Sequence, residues 1–337
     1  MRILIAMSGG VDSAATAALL LQAGHTVTGC TMRLTGTARE EGEIARAASS
    51  AAALGITHRV LDLRQEFSSR VIAPFAAAYR AGRTPNPCIF CNEAIKFGAF
   101  YEYAMQKGFE RIATGHYARI EDGRLYKAAD AAKDQSYVLY RLSRKVLTRT
   151  LLPLGNITKA EARAIAAGAG LSAARAEESQ DICFVPDGDY AAFLERAAAA
   201  PTPRGHYIDS EGRVLGEHAG ITHYTLGQHK GLGIALGRVR YVTHIDPLEN
   251  TVTLGDETEL YKAEVRLCDL HLIDKAQEAP FRATAKLRYR QREVAVTVYP
   301  EETGARLLFD TAQRAPTPGQ SAVLYDDDAV LGGGYIM

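Results

Sequence analysis

The sequence predicts an α/β protein: a mostly parallel sheet with helices on both faces, followed by two β-rich parts. Three observations lead there. Up to about residue 200, short apolar runs alternate with helical patterns, the signature of a parallel sheet covered by helices. The stretch 197–205, AAAAPTPRG, has the small, proline-bearing texture of a linker. Beyond it helical periodicity largely vanishes, and short alternating runs are punctuated by turn signals such as Ser210-Glu211-Gly212, Pro247-Leu248-Glu249-Asn250 and Pro318-Gly319.

In chain order, residues 2–7 read as a buried strand and 11–23 as a helix ended by Gly24. Residues 26–34 form a second strand, an Ala-rich helix covers about 43–54, and 58–63 give a third strand. Helices are expected over 65–81 and 93–107, and a further strand over 111–116. The domain limits expected are 1–200, 201–268 for a small central β-rich domain, and 269–337 for a terminal β-barrel. A chain of 337 residues exceeds what one hydrophobic core usually serves. In an open α/β sheet, ligands bind at the carboxyl ends of the strands.

Composition excludes several classes. A hydrophobic fraction of 47% and a charged fraction of 23% are those of a globular protein, and no run reaches the roughly 18–20 apolar residues of a membrane span. The opening MRILIAM leads at once into a Gly- and Asp-bearing turn with no leader-type apolar region, so a cytoplasmic protein without membrane attachment is expected. Five cysteines are too few for a disulfide scaffold and point instead to catalysis, metal ligation or core packing. The 39 basic and 39 acidic residues balance, which argues against a nonspecific polyanion binder but leaves room for a local basic stripe.

The strongest motif is SGGVDS at 8–13, between the first strand and the first helix. Two glycines admit an anion close to the backbone, while the helix start and the hydroxyls of Ser8 and Ser13 offer donors. It lacks the Gly-Lys-Ser/Thr ending of a Walker loop and matches the PP-loop of ATP pyrophosphatases; a turn that merely caps a helix is the bland alternative. The glycines at 231, 233 and 237 lack dinucleotide-binding spacing and read as a loop. Next comes TPNPCIFCN at 84–92, a proline-kinked loop leading into a helix. A thiol near a helix start is a better nucleophile or metal ligand, and Cys88 with Cys91 reads equally as half a zinc site, although no second Cys pair exists to complete one. Cys183, in ESQDICF at 178–184, is their one candidate partner; on spacing alone it reads as a core thiol, as do Cys30 and Cys268. Lys286, Arg288, Arg290 and Arg292 alternate, so a strand there would carry all four on one face. RNA binding and an edge strand blunted by charge explain that pattern equally well.

Taken in succession, SGGVDS, TPNPCIFCNEAIKF, ATGHYAR, KDQSYVLY, SQDICF, YTLGQHKGLGI, RYRQ, PGQSAV and LGGG span almost the whole chain. In that order they resemble the tRNA-specific 2-thiouridylase family, whose first domain has the PP-loop, adenine nucleotide alpha hydrolase-like fold. The resemblance implies an ATP- and Mg²⁺-dependent tRNA-uridine sulfurtransferase. It would adenylate the carbonyl oxygen of the anticodon wobble uridine and deliver sulfur received from a cysteine desulfurase or a persulfide relay protein. It also implies roles for individual residues. Ala6, Met7, Ser8, Gly9, Gly10, Val11, Asp12, Ser13, Met32 and Gly115 would hold ATP. Cys91 would be the catalytic nucleophile and Cys183 the persulfide carrier. Asn86, Pro87 and Cys88 would surround the target base, while His116, Lys133, Asp134, Gln135, Arg288, Tyr289 and Gln320 would contact tRNA. The family pattern often has Asp where this chain has Cys88. A thiol of pKa about 8.5 is a poor general base at neutral pH unless its site lowers it. An alternative is therefore that Cys88, Cys91 and Cys183 ligate an iron–sulfur cluster that delivers hydrosulfide. Rival classes are a PP-loop amidotransferase or ligase acting on a small metabolite, and a non-catalytic tRNA-binding or cluster scaffold; tRNA-dependent release of AMP and pyrophosphate separates them.

Overall fold

The computed structural model of the chain describes residues 1–171, 173, 182–185, 188–198, 202–274 and 279–337. Residues 178–181 of the ESQDICF segment and 199–201 of the expected linker lie outside them. The chain divides into two compact units, and neither is continuous in sequence. Unit 1 comprises Met1–Val71, Cys88–Gln180 and Asp326–Leu331; unit 2 comprises Ile72–Pro87, Asp181–Tyr325 and Gly332–Met337.

Unit 1 is built on a five-stranded parallel sheet: β1 (Arg2–Ala6), β2 (Thr26–Arg33), β3 (Thr57–Asp62), β4 (Arg111–Ala113) and β7 (Thr150–Leu151), in the order β3-β2-β1-β4-β7. The apolar run predicted at the start is β1, with Ile3, Leu4 and Ile5 fully buried; each such side chain removed from water stabilises the fold by roughly 1.5–3 kcal/mol. The strand order reverses between β1 and β4, and such a switch point opens a crevice at the strand ends. Helix α1 (Val11–Gln22) follows β1, and its chain reverses at Gly24, whose φ of 76° suits glycine. Helix α2 (Ala38–Ala53) starts five residues earlier than its Ala-rich core indicates, because the Thr37 hydroxyl accepts from the backbone N–H of Glu40. The Glu40 carboxylate turns back and accepts from the N–H groups of Leu34, Thr35 and Gly36, fixing the end of β2.

Two predicted helices differ in detail. The helix expected over 65–81 runs as α3 (Arg64–Phe67), a π-helical stretch Ser68–Ile72 and α4 (Ala73–Arg80). The next begins at Pro87, not in the nineties: α5 (Pro87–Cys91), a π-helical stretch Asn92–Ala99 and α6 (Phe100–Gln106). Proline suits a first helical position, where its missing N–H has no partner to lose. Helix α7 (Arg144–Leu147) leads into β7, and helix α8 (Lys159–Gly168) is closed by a Thr158–Glu161 capping box and packs on α1 through Ala162 and Ala166 against Val11, Ala14 and Ala15. A hairpin of β5 (Arg119–Glu121) and β6 (Arg124–Tyr126) meets the C-terminal segment of this unit, pairing Tyr126 with Ala329 while Arg119 bonds Asp328.

Unit 2 has two β structures. The first is a four-stranded sheet of β8 (Gly205–Ile208), β9 (Val214–His218), β10 (Tyr241–Asp246) and β11 (Thr251–Gly255), cored by Tyr207, Tyr224, Val242 and Leu254. The second contains β12 (Tyr261–Leu272), β13 (Phe281–Lys286), β14 (Val294–Glu301), β15 (Gly304–Arg314), β16 (Ser321–Asp326) and β17 (Ala329–Ile336). Pairing of β12 with β17 closes these six strands into the expected barrel. The glycines 231, 233 and 237 lie in a loop, each with φ near 70°.

The structure corrects one expectation. The alternating basic residues do not share a strand face: β13 ends at Lys286, and Arg288–Gln291 form a turn closed by the Gln291 N–H on the Arg288 carbonyl. Lys286 is half-buried against Glu293 and the Tyr325 ring, Arg288 is half-buried, and of the four only Arg290 and Arg292 are exposed. Among the described residues, no helix is long and apolar enough to cross a membrane.

Candidate active site

In unit 1 the loop after β1 and the residues after β4 meet at the switch point. Gly9 has φ 74°, and a β-carbon there would run into the Glu43 carbonyl oxygen of α2. Ser8 and Ser13 are tied together, with the Ser8 N–H donating to Ser13 Oγ at 3.2 Å and the two hydroxyls 3.4 Å apart. Met7 is buried, and its carbonyl accepts from Thr31 of β2 at 2.8 Å. Ala6 ends β1 and Met32 is the last residue but one of β2, both half-buried, and Val11 joins the core between α1 and α8. Gly115 closes the other side. A β-carbon on it would lie 2.9–3.0 Å from backbone and Cβ atoms of Asp12 and the Ser13 nitrogen, so only glycine lets the chain after β4 approach so closely.

The next residue, His116, is buried with Nδ1 2.7 Å from the Thr114 hydroxyl and Nε2 3.4 Å from Lys96 Nζ. Burial, reinforced by Lys96, holds its pKa well below the usual imidazole value, so the ring is neutral at physiological pH. An ammonium donating to Nε2 then places the ring proton on Nδ1. Lys96 also acts on the thiols. Cys91 is buried, and its pKa is pushed up to about 11 by that burial, with Lys96 pulling it down and Cys88 pushing it up. Cys88 and Cys91 are three residues apart on one helical run and therefore share a face. Lys96 follows Cys91 by five residues, which in an α-helix would point it about 140° away. The intervening π-helical stretch, with its wider i→i+5 turn, brings lysine and thiol toward the same side.

Three other residues named from the sequence are held by local hydrogen bonds. Gln135 clasps Tyr117, accepting from its N–H at 3.0 Å through the side chain and donating its own N–H to the Tyr117 carbonyl at 2.8 Å. Asp134 accepts from the backbone N–H groups of Ala128 and Ser136 and from the Ser136 hydroxyl. Lys133 is half-buried, its N–H bonded to the Asp130 carbonyl.

In unit 2, Asn86 and Pro87 follow Thr84, whose N–H donates to the Pro318 carbonyl and whose carbonyl accepts from Gln320 Nε2 at 2.6 Å. Arg288 donates to the Ala315 carbonyl and the Thr317 hydroxyl, both at 2.7 Å, on the same 315–320 loop. Arg288, Gln320 and the Asn86 segment are thus brought together, with Tyr289 exposed beside them in sequence. Cys183 is exposed, while its neighbours Ile182 and Phe184 pack into a cluster with Phe75, Tyr79, Phe193 and Leu194. Cys30 is fully buried and pushed up to about 12, as a core thiol should be, and Cys268 is half-buried in β12.

Sequence reasoning missed Lys96, and it missed Tyr117 and Lys159, which meet on the Asp12 carboxylate: the Tyr117 hydroxyl donates to it at 2.8 Å and Lys159 Nζ at 2.6 Å. Lys96 lies within the quoted CNEAIKF segment, but only the π-helical stretch turns it toward the cysteines. Burial pushes the Cys88 thiol up as well, with Lys96 pulling it down, so it is the contrast in exposure that makes a prediction. Iodoacetamide at pH 7.5 should label Cys88 and Cys183 well before Cys91 and Cys30, as followed by peptide mass spectrometry. Equal labelling of Cys91 would contradict its burial.

Models of known families match three consecutive stretches: a tRNA methyl transferase HUP domain over residues 1–187, a tRNA methyl transferase PRC-barrel domain over 191–256 and an aminomethyltransferase beta-barrel domain over 262–336. The chain is 45% identical over 355 residues to the tRNA-specific 2-thiouridylase MnmA of Acetivibrio thermocellus, covering 99% of each. It is 46% identical over 351 residues to that of Moorella thermoacetica, covering 99% of this chain and 98% of the relative. Among solved structures it is similar to the U34-tRNA thiolase NcsA from Methanococcus maripaludis with its 4Fe-4S cluster, at 16% identity over 58% of this chain and 66% of that one. The TM-score is 0.38, too low to bear on function. Matched end to end by its relatives and in order by three domain models, the chain belongs to the tRNA-specific 2-thiouridylase (MnmA) family.

Proposed function

We propose that this enzyme performs ATP-dependent 2-thiolation of the anticodon wobble uridine of tRNA. What supports this is a continuous run of contacts within unit 1. The glycine cradle of Ser8–Ser13 touches Gly115, His116 follows Gly115, Lys96 bonds His116, and Lys96 bears electrostatically on Cys91 and Cys88. A phosphate cradle and a nucleophilic thiol are thereby joined through two side chains, as an adenylate-then-sulfur reaction requires.

In this reading residues 6–13, Met32 and Gly115 hold ATP with Mg²⁺. The uridine O2 attacks the α-phosphorus and pyrophosphate leaves. The terminal sulfur of a Cys183 persulfide then adds at C2 and AMP departs, leaving C2 joined to Cys183 through two sulfurs. The Cys91 thiolate attacks the Cys183 sulfur, releasing 2-thiouridine and forming a Cys91–Cys183 disulfide. A two-electron reductant restores the dithiol, and a cysteine desulfurase or persulfide relay protein reloads Cys183. Transfer needs an exposed base, so the nucleotide is flipped out of its stack. Asn86, Pro87 and Cys88 line the target base; His116, residues 133–135, Arg288, Tyr289 and Gln320 form or support the tRNA contacts. We take residues 1–200 as the catalytic domain. We take 201–268 as the central β-rich domain and 269–337 as the terminal barrel domain that contributes tRNA contacts. Among the described residues no three His, Cys, Asp or Glu side chains are placed to hold a metal ion, and the persulfide route requires only Cys91 and Cys183.

Wild-type enzyme with ATP, tRNA and a persulfide donor should release AMP and pyrophosphate and yield 2-thiouridine in nucleoside digests. AMP release independent of tRNA would return the chain to the small-metabolite class. The exposed turn beside Arg288 gives a second test. Arg290→Ala with Arg292→Ala should weaken tRNA binding and lower the slope of log K against log salt by about 0.7–0.9 per phosphate contact removed. An unchanged slope would leave these cations as a merely solvated turn.

A further inference from the structure

Residues 7–16 contain no cation and one anion, Asp12. A polyphosphate entering such a loop meets a carboxylate and, unlike in a Walker loop, no lysine of the loop's own. The fold supplies one from 147 residues further along the chain. Lys159, the first residue of α8, donates from Nζ to Asp12 Oδ1 at 2.6 Å and Oδ2 at 2.7 Å. The Tyr117 hydroxyl donates to Oδ1 at 2.8 Å, and the ammonium lies 5.7 Å from the centre of the Tyr117 ring. Each of these groups is itself fixed. Alanines 162 and 166 of α8 sit close on α1, the Lys159 N–H donates to Asp130 at 3.1 Å, and Gln135 clasps Tyr117 on both sides. The Lys159 side chain is 12% exposed and that of Asp12 35%, so the pair is shielded far more than a surface bridge but opens on the carboxylate side.

We infer that Lys159 is the phosphate-binding cation of the nucleotide site, held by Asp12 at the rim of the Ser8–Ser13 cradle and shared with the polyphosphate when ATP enters. The geometry suits this. Asp12 is itself a residue of the cradle, next to Ser13, whose hydroxyl donates to the Gly10 carbonyl and accepts from the Ser8 N–H, so the carboxylate that holds the ammonium is carried by the loop itself. A lysine head carries three rotatable donors and can be divided between carboxylate and phosphate, which a planar guanidinium does less readily. Gln135, expected from the sequence as a tRNA contact, joins Tyr117 as a brace of this pair. The inference rests on the ATP reading above.

The test is equilibrium binding of a non-hydrolysable ATP analogue with Mg²⁺ to wild type, K159M, K159R, D12N and the double variant D12N/K159M, each checked by circular dichroism and thermal melting. Loss of a charge-assisted phosphate contact should weaken binding about ten- to hundredfold in K159M, with K159R intermediate. The double variant, which leaves no unpaired carboxylate and so guards against misfolding, should stay as weak as K159M. Recovery of wild-type affinity in D12N/K159M would mean that Lys159 only cancels Asp12, and would overturn the inference, as would unchanged binding by K159M. Failure of wild type itself to bind the analogue, with or without tRNA, would instead remove the ATP reading, a result visible before any variant is compared.

Discussion

Alanine in place of Gly9 is expected to abolish tRNA-dependent AMP release and to lower stability by about 1–3 kcal/mol. Two independent constraints meet there. The backbone is left-handed at φ 74°, and the added β-carbon would strike the Glu43 carbonyl and press on Arg46 Cβ at 3.1 Å and the Ala47 nitrogen at 3.3 Å. None of these can give way cheaply, because Ala47 and Ala51 of α2 are fully buried against β1 and β2. The loop must move instead, and with it Ser8 and its bond to Ser13. Gly24 is the internal control. Its φ is 76°, but nothing lies within 4 Å of a β-carbon, so Gly24→Ala should carry the strain alone and keep activity. Thermal melting and AMP release measured on both variants decide the matter; equal activity in the two would show that Gly9 is needed only for its φ.

Much of this was legible in the sequence because it is local. The alternation of apolar runs and helical patterns located β1, β2, β3 and the helices between them, and SGGVDS could be placed at a strand–helix junction by reading six residues. What escaped depends on contacts between distant segments. Nothing near Lys159 marks it as a partner of Asp12, and Tyr117 became a brace only when Gln135 folded back on it. The turn after β13 was misread for a different reason. Period-two charge extends past Lys286, but a strand needs hydrogen-bonded neighbours as well as a pattern, and the chain leaves the barrel there to let Arg288 bond the 315–320 loop. The π-helical stretch between Cys91 and Phe100 has no pattern signal at all, yet it turns Lys96 toward the thiols. The discontinuity of the two units was equally hidden, since membership of residues 72–87 and 326–331 is decided by packing rather than composition.

Serine at either of two cysteines is expected to abolish thiolation, with different intermediates left behind. With Cys183→Ser there is no carrier for the persulfide sulfur, so AMP forms only by hydrolysis of the adenylate and no sulfur reaches the tRNA. With Cys91→Ser, sulfur from the Cys183 persulfide still adds at C2 and one equivalent of AMP is released, but the C2–S–S–Cys183 linkage has no thiol to resolve it. That variant should therefore accumulate a protein–tRNA adduct that a reducing agent dissolves, seen as a shifted band on a non-reducing denaturing gel and absent from Cys183→Ser. Cys88→Asp should retain thiolation, since a carboxylate there matches the family pattern. All three are to be run as single turnovers with iron-free enzyme supplied with persulfide. If iron-free wild type is inert and anaerobic reconstitution with iron and sulfide restores turnover, the persulfide–disulfide pair is replaced by the three-cysteine cluster. Full activity without iron, together with the Cys91→Ser adduct, assigns sulfur carriage to Cys183 and its release to Cys91. That division would fit the exposure of the two thiols: Cys183, which would have to reach a donor protein, is exposed, whereas Cys91 is buried, its pKa pushed up to about 11 by that burial with Lys96 pulling it down.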